Sequence, residues 1–211
     1  MPLLGPRPEK PPRAVIFDVG RVILRVDLSR SMGRLGERDG LTHLDVLRQL
    51  EADPRWHDWQ EGRITPRDWH AYLAQKLKFS YDFDEFCAIW NGVLAPGQIL
   101  PDNLFEQLDA KCRLGLLSNT DPIHVAHFEA NYSFVRHFPS RVYSCRVGSS
   151  KPGAAIFHHA LREVGTIPED ALFVDDVLEN VTAAAGLGIL GYQFTSAGEL
   201  REDLRRFRLL E

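Results

Sequence analysis

The stretch AVIFDVGRVILRVD, residues 14–27, carries the clearest structural signal in this chain. Its first four residues are apolar, and Asp18 follows them directly. A short run that is apolar on both faces is typical of a buried strand in a parallel sheet. Ligands of such sheets bind beyond the carboxyl ends of the strands, which is where Asp18 stands. The stretch therefore predicts a buried strand with a candidate functional carboxylate at its end.

Three further apolar runs predict strands of the same sheet. They are LGLL (114–117), ALFV (171–174) and GILGYQF (188–194). Helical patterns separate them, with one apolar stripe over 153–164 and a second helix over about 177–186. This alternation predicts an α/β fold with a Rossmann-like parallel sheet.

Residues 28–98 differ in kind from the segments on either side. Helical patterns fill them, broken at DGLT, EADP and GRITP. Pro66 stands near one helix start, and apolar residues follow it at helical spacing: Trp69, Tyr72, Leu73 and Leu77. Because this segment is far too long for a loop, we interpret it as a helical cap subdomain inserted after the first strand. The core domain is then made of residues 13–27 and 99–211.

All four tryptophans of the chain lie in the predicted cap: Trp56, Trp59, Trp69 and Trp90. Aromatic residues at helical spacing more often form a core than a ligand cage. We therefore predict that they form the core of the cap.

Composition narrows the class of protein. The chain has 211 residues, is 44% hydrophobic and carries a formal net charge of −4, which suits one globular domain with a sizeable core. Its Lys and Arg residues are scattered, so we expect no nucleic-acid partner. No apolar run approaches the roughly 20 residues needed to cross a bilayer, so we expect no membrane partner. Five prolines within residues 1–12 predict a disordered leader rather than a signal peptide.

The three cysteines carry little chemistry. Cys87, Cys112 and Cys145 are odd in number and widely spaced, which supports neither a disulfide framework nor a zinc site. We expect reduced core cysteines and a cytoplasmic location.

Polar residues directly follow three of the predicted strands. Asp18 follows the first, Ser118 and Asn119 follow the second, and Asp175 and Asp176 follow the third. Because these ends meet at one edge of a parallel sheet, the side chains are expected to line one crevice. Lys151 lies between the last two strands, before a helix that we expect to begin at Pro152.

These residue types together suit phosphate chemistry. Several carboxylates in one crevice repel each other and need a cation, and Mg²⁺ prefers such oxygen ligands. Hydroxyl, amide and lysine groups beside it would bind a phosphate. An aspartate held beside that phosphate can attack phosphorus and form an aspartyl-phosphate.

The sequence resembles the haloacid dehalogenase-like (HAD) hydrolases over about residues 13–195, specifically the subgroup with a helical cap. FDVGRVIL is similar to the first motif of that family, LLSNTD to the second, SSKPGAAIF to the third and FVDDVLENV to the fourth. The cap stretch WQEGRITPRDW is also similar to one common in this subgroup. Members with Asp-x-Gly in the first motif include sugar-phosphate phosphatases that act on glucose 1-phosphate.

The resemblance implies a role for each motif residue. Asp18 would be the nucleophile and a ligand of Mg²⁺, together with the Gly20 carbonyl and the Asp176 carboxylate. Asp175 would be either a further ligand or a residue behind the ligands. Ser118, Asn119 and Lys151 would bind the phosphate, and Lys151 would also orient Asp18.

Two residues near these motifs keep alternative interpretations. Asn180 lies one helical turn past Asp176 and either braces the acidic loop or is a polar surface residue. Arg21 could reach a phosphate or sugar oxygen, although a surface role suits it better.

Gly20 departs from the usual pattern of the family. Most of its phosphatases carry a second Asp at this position, which protonates the leaving group and later activates water. Glycine keeps the carbonyl ligand but loses the acid–base group, worth roughly 10²–10⁴ in rate. A good leaving group, such as an anomeric or acyl phosphate, or a cap residue such as Glu61 could compensate.

The sequence therefore predicts an Mg²⁺-dependent phosphatase of a small phosphorylated metabolite, favouring a sugar phosphate, active as a monomer or homodimer. One alternative is a catalytically weak or inactive phosphate-binding regulatory protein. Another is a 2-haloacid dehalogenase, which the retained acid pair at 175–176 disfavours. Surface or packing roles are expected for four histidines: His124, His127, His158 and His159.

Overall fold

The structure is a computed structural model that describes residues 3–5 and 10–211. Its strands are β1 (Leu3–Leu4), β2 (Ala14–Phe17), β3 (Leu24–Val26), β4 (Leu94–Gln98), β5 (Arg113–Ser118), β6 (Ser140–Tyr143), β7 (Ala171–Asp175) and β8 (Leu190–Gln193). Its α-helices are α1 (His43–Glu51), α2 (Arg55–Gln60), α3 (Pro66–Leu77), α4 (Phe83–Asn91), α5 (Asp102–Asp109), α6 (Pro122–Asn131), α7 (Ser144–Val147), α8 (Ala154–Val164), α9 (Leu178–Gly186) and α10 (Ala197–Arg206).

The central sheet contains six of the described strands in the order β1-β8-β7-β2-β5-β6. Strands β8, β7, β2, β5 and β6 run parallel, which confirms the predicted Rossmann-like α/β fold. Phe17 at the end of β2 is in register with Leu116 of β5 and Val174 of β7. This register brings the polar residues after the three strands to the same edge.

The sheet is covered on both faces. Alternate residues of β2 explain how: Val15 and Phe17 belong to one buried core, and Ala14 and Ile16 to the other. Helices α5, α6 and α10 contribute to the first core, and α8 and α9 to the second. A strand buried on both faces reads as a continuous apolar run, which is why AVIF was recognisable in the sequence.

The leader prediction is wrong for Leu3 and Leu4. These residues form β1, which pairs antiparallel with β8 opposite Tyr192 and Gly191. Two apolar residues satisfy backbone groups at the edge of the sheet, which a disordered leader would leave to water. Residues 1, 2 and 6–9 of the expected leader lie outside the described part.

The segment inserted after the first strand is helical, as predicted. It contains 3₁₀ turns at Leu28–Arg30 and Met32–Asp39, followed by α1 to α4. Strands β3 and β4 pair antiparallel, so the chain leaves the core and returns to it side by side. Thr65 caps α3, and Pro66 is the first residue of the helix. Proline suits this position because an amide hydrogen there would have no partner within the helix. We call α1–α4 and the two 3₁₀ turns the cap.

Tryptophans form the centre of the cap, as predicted. Trp59, Trp69 and Trp90 are almost completely buried, and the rings of Trp59 and Trp69 stack with centroids 5.3 Å apart. Trp56 is half-buried, with its ring centroid 6.1 Å from that of Trp69. Together the rings bury a large apolar area in a small subdomain.

The prediction that Pro152 opens the helix after Lys151 is wrong. Gly153 precedes the helix, and α8 begins at Ala154. The Gly153 N–H donates to the Ser150 carbonyl at 2.9 Å, which closes a turn ahead of the helix.

Every helix in the described part of the chain is too short or too polar to span a bilayer.

Candidate active site

Lys151 lies at the centre of a buried charge cluster. Its Nζ is 2.8 Å from Asp18 Oδ1, 2.6 Å from Asp175 Oδ2 and 3.1 Å from the Leu117 carbonyl. The Lys151 side chain is only 2% exposed. Three acceptors for three N–H donors satisfy the ammonium group, so Lys151 holds two carboxylates from neighbouring strand ends in fixed positions.

Burial and charge set the protonation of this cluster. Burial raises the pKa of Asp18 to about 6, although the neighbouring Lys151 charge acts in the opposite direction. Burial also disfavours the charge on Lys151, but Asp18 and Asp175 outweigh it and hold the Lys151 pKa above its usual value. The ammonium group therefore stays charged at neutral pH.

The two adjacent acids after β7 have different surroundings. Asp175 accepts hydrogen bonds from the Val177 N–H at 2.8 Å and from Asn180 Nδ2 at 3.2 and 3.1 Å, besides that from Lys151. Asp176 is half-buried, and its carboxylate bonds to no other side chain that the structure describes. Asn180 is buried and braces the acidic loop through Asp175, so the surface interpretation of Asn180 is wrong.

The acidic cluster fits a hard metal ion. Asp18, Asp175 and Asp176 each offer a carboxylate oxygen, and these oxygens lie within 4.8 Å of one another. Gly20 lines the same cavity as Asp18 and Asp176. A set made of oxygens alone suits Mg²⁺. Because Asp175 is already fully hydrogen-bonded, Asp176 is the acid of this pair with free oxygens.

Ser118 and Asn119 share the cavity but differ in their bonding. The Asn119 side chain donates to the Lys151 carbonyl and accepts from the Lys151 N–H, both at 2.8 Å. Asn119 thus fixes the backbone of Lys151, a positioning role that the sequence did not reveal. Ser118 is buried and lines the cavity, and its hydroxyl bonds to none of the described residues.

Gly20 is not required by the backbone. It does not lie in the left-handed region, and a Cβ at this position would be 3.6 Å from Val26 Cγ2, an ordinary contact. The left-handed residue of this turn is Arg21, with φ of 58°. Arg21 is exposed and lines the same cavity. The absence of a side chain at residue 20 is therefore a property of the site and not of the fold.

A cavity of about 360 Å³ joins this cluster to the cap. The strand ends provide a polar floor that includes Asp18, Ser118 and Lys151. The opposite wall contains apolar residues of the cap and of its connecting strands, including Trp56 and Trp90. Two of the four cap tryptophans thus line the cavity as well as the cap core.

Glu61 does not line this cavity. Its carboxylate contacts Ser150 Oγ at 3.0 Å, His57 Nε2 at 3.0 Å and the Arg63 guanidinium. These contacts join the cap to the segment before Lys151. The prediction that Glu61 could replace the missing acid is therefore wrong, because its partners lie away from the cavity.

One cavity-lining group was missed in the sequence. Asp121 Oδ2 accepts from His124 Nδ1 at 2.8 Å and from the Trp90 indole N–H at 3.0 Å, and His124 Nε2 lies 3.1 Å from the Trp90 carbonyl. The packing role expected of His124 is correct, but its ring also lines the cavity. The only sign of this pair in the sequence is the three-residue spacing of Asp121 and His124, which places them one helical turn apart.

Comparison with known proteins identifies the family. A family model described as a haloacid dehalogenase-like hydrolase matches residues 41–188. The chain belongs to this family. It is a HAD-type hydrolase, as the sequence predicted. The four motif segments of the candidate active site lie at the ends of β2, β5 and β7 and before α8.

Two relatives of this HAD-type hydrolase are named as phosphatases. D-ribitol-5-phosphate phosphatase of Bacteroides thetaiotaomicron is 24% identical over 90% of this chain and 95% of its own length. Sesquiterpene phosphatase astK of Aspergillus oryzae is also 24% identical, over 92% of this chain and 95% of its own length.

One solved structure shows the same fold. It is a HAD family enzyme of Bacteroides thetaiotaomicron in complex with magnesium and inorganic phosphate. The two structures superpose with a TM-score of 0.75 at 24% identity, covering 88% of this chain and 95% of that chain.

Proposed function

We propose that this protein is an Mg²⁺-dependent phosphomonoesterase that acts through an aspartyl-phosphate on Asp18. The observation that carries the proposal is the Lys151 ammonium group fixed between Asp18 and Asp175, beside an Asp176 with free oxygens. Such an arrangement orients a carboxylate as a nucleophile and neutralises the charge of a phosphate.

The reaction has two balanced steps. Asp18 forms a bond to phosphorus while the bond from phosphorus to the oxygen of the leaving group breaks. Water then attacks phosphorus as the bond from phosphorus to Asp18 breaks, which restores the Asp18 carboxylate. One proton of the water stays on inorganic phosphate and the other passes to the solvent, from which an alcohol leaving group takes its proton. Lys151 keeps Asp18 in place, and the Ser118 hydroxyl donates to a phosphate oxygen.

The metal would be held by Asp18, Asp176 and the Gly20 carbonyl. When bound, Mg²⁺ supplies positive charge next to the phosphate oxygens. Asp175 would support this site from behind, because Lys151, Val177 and Asn180 already use its oxygens.

Gly20 limits the leaving groups of this enzyme. No side chain at residue 20 can protonate the departing oxygen, and both ring nitrogens of His124 are engaged. We therefore expect the fastest turnover with leaving groups that depart without a proton, such as carboxylates.

The identity of the substrate alcohol is open to two classes. The sequence motifs favour a sugar phosphate, and the relative named D-ribitol-5-phosphate phosphatase supports that choice. The relative named sesquiterpene phosphatase supports an apolar alcohol. Both are consistent with a small phosphorylated metabolite.

We also propose that the enzyme works in the reducing cytoplasm. Cys87, Cys112 and Cys145 are all free. Burial raises the pKa of the Cys112 thiol to about 12, so this thiol is unreactive at neutral pH.

Acetyl phosphate tests this function, because its carboxylate leaving group needs no proton donor. We expect phosphate release that requires Mg²⁺ and falls by about 10³-fold or more in Asp18→Asn. Asp109→Asn, an exposed acid at the end of α5, is the matched control and should retain wild-type turnover. Full turnover in Asp18→Asn would contradict the proposal.

Two further results would identify the alternatives. A folded, Mg²⁺-binding wild type with no turnover would favour the non-catalytic phosphate-binding protein. Dehalogenation of 2-chloropropionate without Mg²⁺ would favour the dehalogenase.

A further inference from the structure

The cavity above Asp18 has two chemically different ends. The floor offers carboxylate, hydroxyl and ammonium groups to a phosphate. The wall toward the cap is mainly hydrocarbon, and its members include Val26, Leu28, Met32, Leu47, Trp56 and Val93. A phosphate at the floor would therefore place the rest of its ester against an apolar wall.

Some of the polar groups near the apolar wall are already hydrogen-bonded. The Asp121 carboxylate is used by His124 and by the Trp90 indole, and both ring nitrogens of His124 are used in turn. Among the described cavity residues of this region, the Gln60 and Thr120 side chains have no hydrogen-bond partner. Arg21 also lines the cavity and is exposed. A hydroxyl group placed against the hydrocarbon members of the wall has no side chain there to bond to.

We infer that the leaving group of the substrate is a hydrocarbon, aliphatic or aromatic, joined to the phosphate through a hydroxyl or carboxyl oxygen, and is not a sugar or polyol. This inference rests on the phosphomonoesterase function proposed above. Each methylene moved from water to the wall is worth about a fourfold gain in affinity. Each hydroxyl buried there without a partner costs about fivefold or more.

The test uses a pair of esters that differ only in hydroxyl groups. Pentyl phosphate and D-ribitol 5-phosphate are both primary esters with five-carbon chains, so their leaving groups are alike. We expect kcat/KM for pentyl phosphate to exceed that for D-ribitol 5-phosphate by at least about tenfold. A preference for D-ribitol 5-phosphate would overturn the inference.

A second series varies chain length at constant chemistry. Acetyl, butyryl and hexanoyl phosphates share a carboxylate leaving group, so Gly20 affects them equally. We expect kcat/KM to rise by about fourfold per added methylene until the wall is covered. No increase from acetyl to hexanoyl phosphate would overturn the inference while leaving the phosphatase function intact.

Two residues of α1 provide a matched pair of variants. Leu47 is half-buried and lines the cavity, whereas Leu44 is 47% exposed on the same helix. We expect Leu47→Gln to lower kcat/KM for hexanoyl phosphate about tenfold relative to acetyl phosphate, and Leu44→Gln to leave the ratio unchanged. Leu28→Gln repeats the test from a different segment. Equal losses on both substrates in Leu47→Gln and Leu28→Gln would overturn the inference.

Direct binding separates this inference from the proposed function. Methylphosphonate and hexylphosphonate have a carbon–phosphorus bond that the reaction cannot break. With Mg²⁺ present, calorimetry should show hexylphosphonate binding at least about tenfold more tightly than methylphosphonate. This result with no turnover of acetyl phosphate would contradict only the proposed function, whereas equal binding would overturn the inference.

Discussion

Gly20 and Arg21 are adjacent, and the residue with positive φ is the arginine and not the glycine. Glycine is the residue that adopts positive φ at little cost, yet Arg21 has φ of 58° and Gly20 does not lie in that region. A left-handed backbone at a non-glycine residue costs on the order of 1 kcal/mol and persists where the surroundings determine it. The turn thus tolerates backbone strain at Arg21. The backbone at residue 20 could accommodate a side chain, yet the residue there is glycine.

Restoring an acid at residue 20 is therefore a clean test of what glycine removes. Gly20→Asp should raise kcat for alkyl phosphates, which need a proton donor, by about 10²-fold or more. Acetyl phosphate should gain less, because its leaving group departs as a carboxylate and only the activation of water improves.

Gly20→Asn is the control for the added aspartate, because it adds the same volume without a proton to donate. Its kcat for alkyl phosphates should stay at the wild-type value. An equal gain in both variants would show that volume, and not acid catalysis, produced the effect.

At the scale of elements, α6 of the core and α4 of the cap meet through one hydrogen-bonded group. Asp121 precedes α6 and accepts from His124 of α6 and from the indole of Trp90 in α4. His124 also stacks on Trp90 with ring centroids 5.9 Å apart. We call Asp121, His124 and Trp90 the cap–core clasp, because they join helices from the two parts of the chain.

The clasp makes stability depend on pH. Burial disfavours charge on both partners, but their mutual attraction outweighs it, so the His124 pKa is raised and the Asp121 pKa is lowered. For His124 the stabilisation is complete below its ordinary pKa of about 6.5 and is lost as pH rises through the raised pKa. For Asp121 it is lost only as pH falls through its lowered pKa.

His124→Gln should therefore lower the free energy of unfolding by roughly 1–3 kcal/mol near pH 6, with the difference shrinking toward pH 9. Urea unfolding across this range measures the difference. His158→Gln, an exposed residue of α8, is the control and should match the wild type. A difference for His124→Gln that does not change with pH would mean that its charge contributes nothing.

At the scale of the whole molecule, parallel register assembles the charged cluster. Phe17, Leu116 and Val174 lie side by side, so the next residues along β2, β5 and β7 converge. Carboxylates brought together in this way repel each other. Burial and the neighbouring Asp175 raise the pKa of Asp176, which reports this unfavourable charge.

A metal that binds this cluster should stabilise the fold. At 100 times its dissociation constant, Mg²⁺ should raise the free energy of unfolding by about 2.7 kcal/mol. Asp176→Asn should lose this effect but be at least as stable as the wild type without Mg²⁺, because burial and Asp175 disfavour the Asp176 charge. Thermal unfolding with and without Mg²⁺ measures both effects.

Asp109→Asn serves as the control for the loss of one negative charge. It should keep the full stabilisation by Mg²⁺, because Asp109 lies at the end of α5 on the exposed surface. Equal stabilisation of Asp176→Asn and the wild type would contradict the assignment of Asp176 as a metal ligand.

The sheet, the helical insertion and the family could all be predicted from the sequence. Runs such as AVIF and ALFV report burial on both faces, and the polar residues after them report the strand ends. These signals are local, so they survive without knowledge of the tertiary structure. The pairing of Leu3–Leu4 with β8 could not be predicted, because a two-residue strand is too short to show a hydrophobic period.

The role of each polar group follows from contacts made in the folded protein. The tertiary structure separated Asp175, whose oxygens are all used, from Asp176, and it showed that Asn119 holds the backbone of Lys151. It also showed that Glu61 contacts Ser150 outside the cavity and that the Trp90 indole donates to Asp121. Each of these outcomes depends on contacts between residues far apart in the chain, which the spacing of residues along the sequence cannot encode.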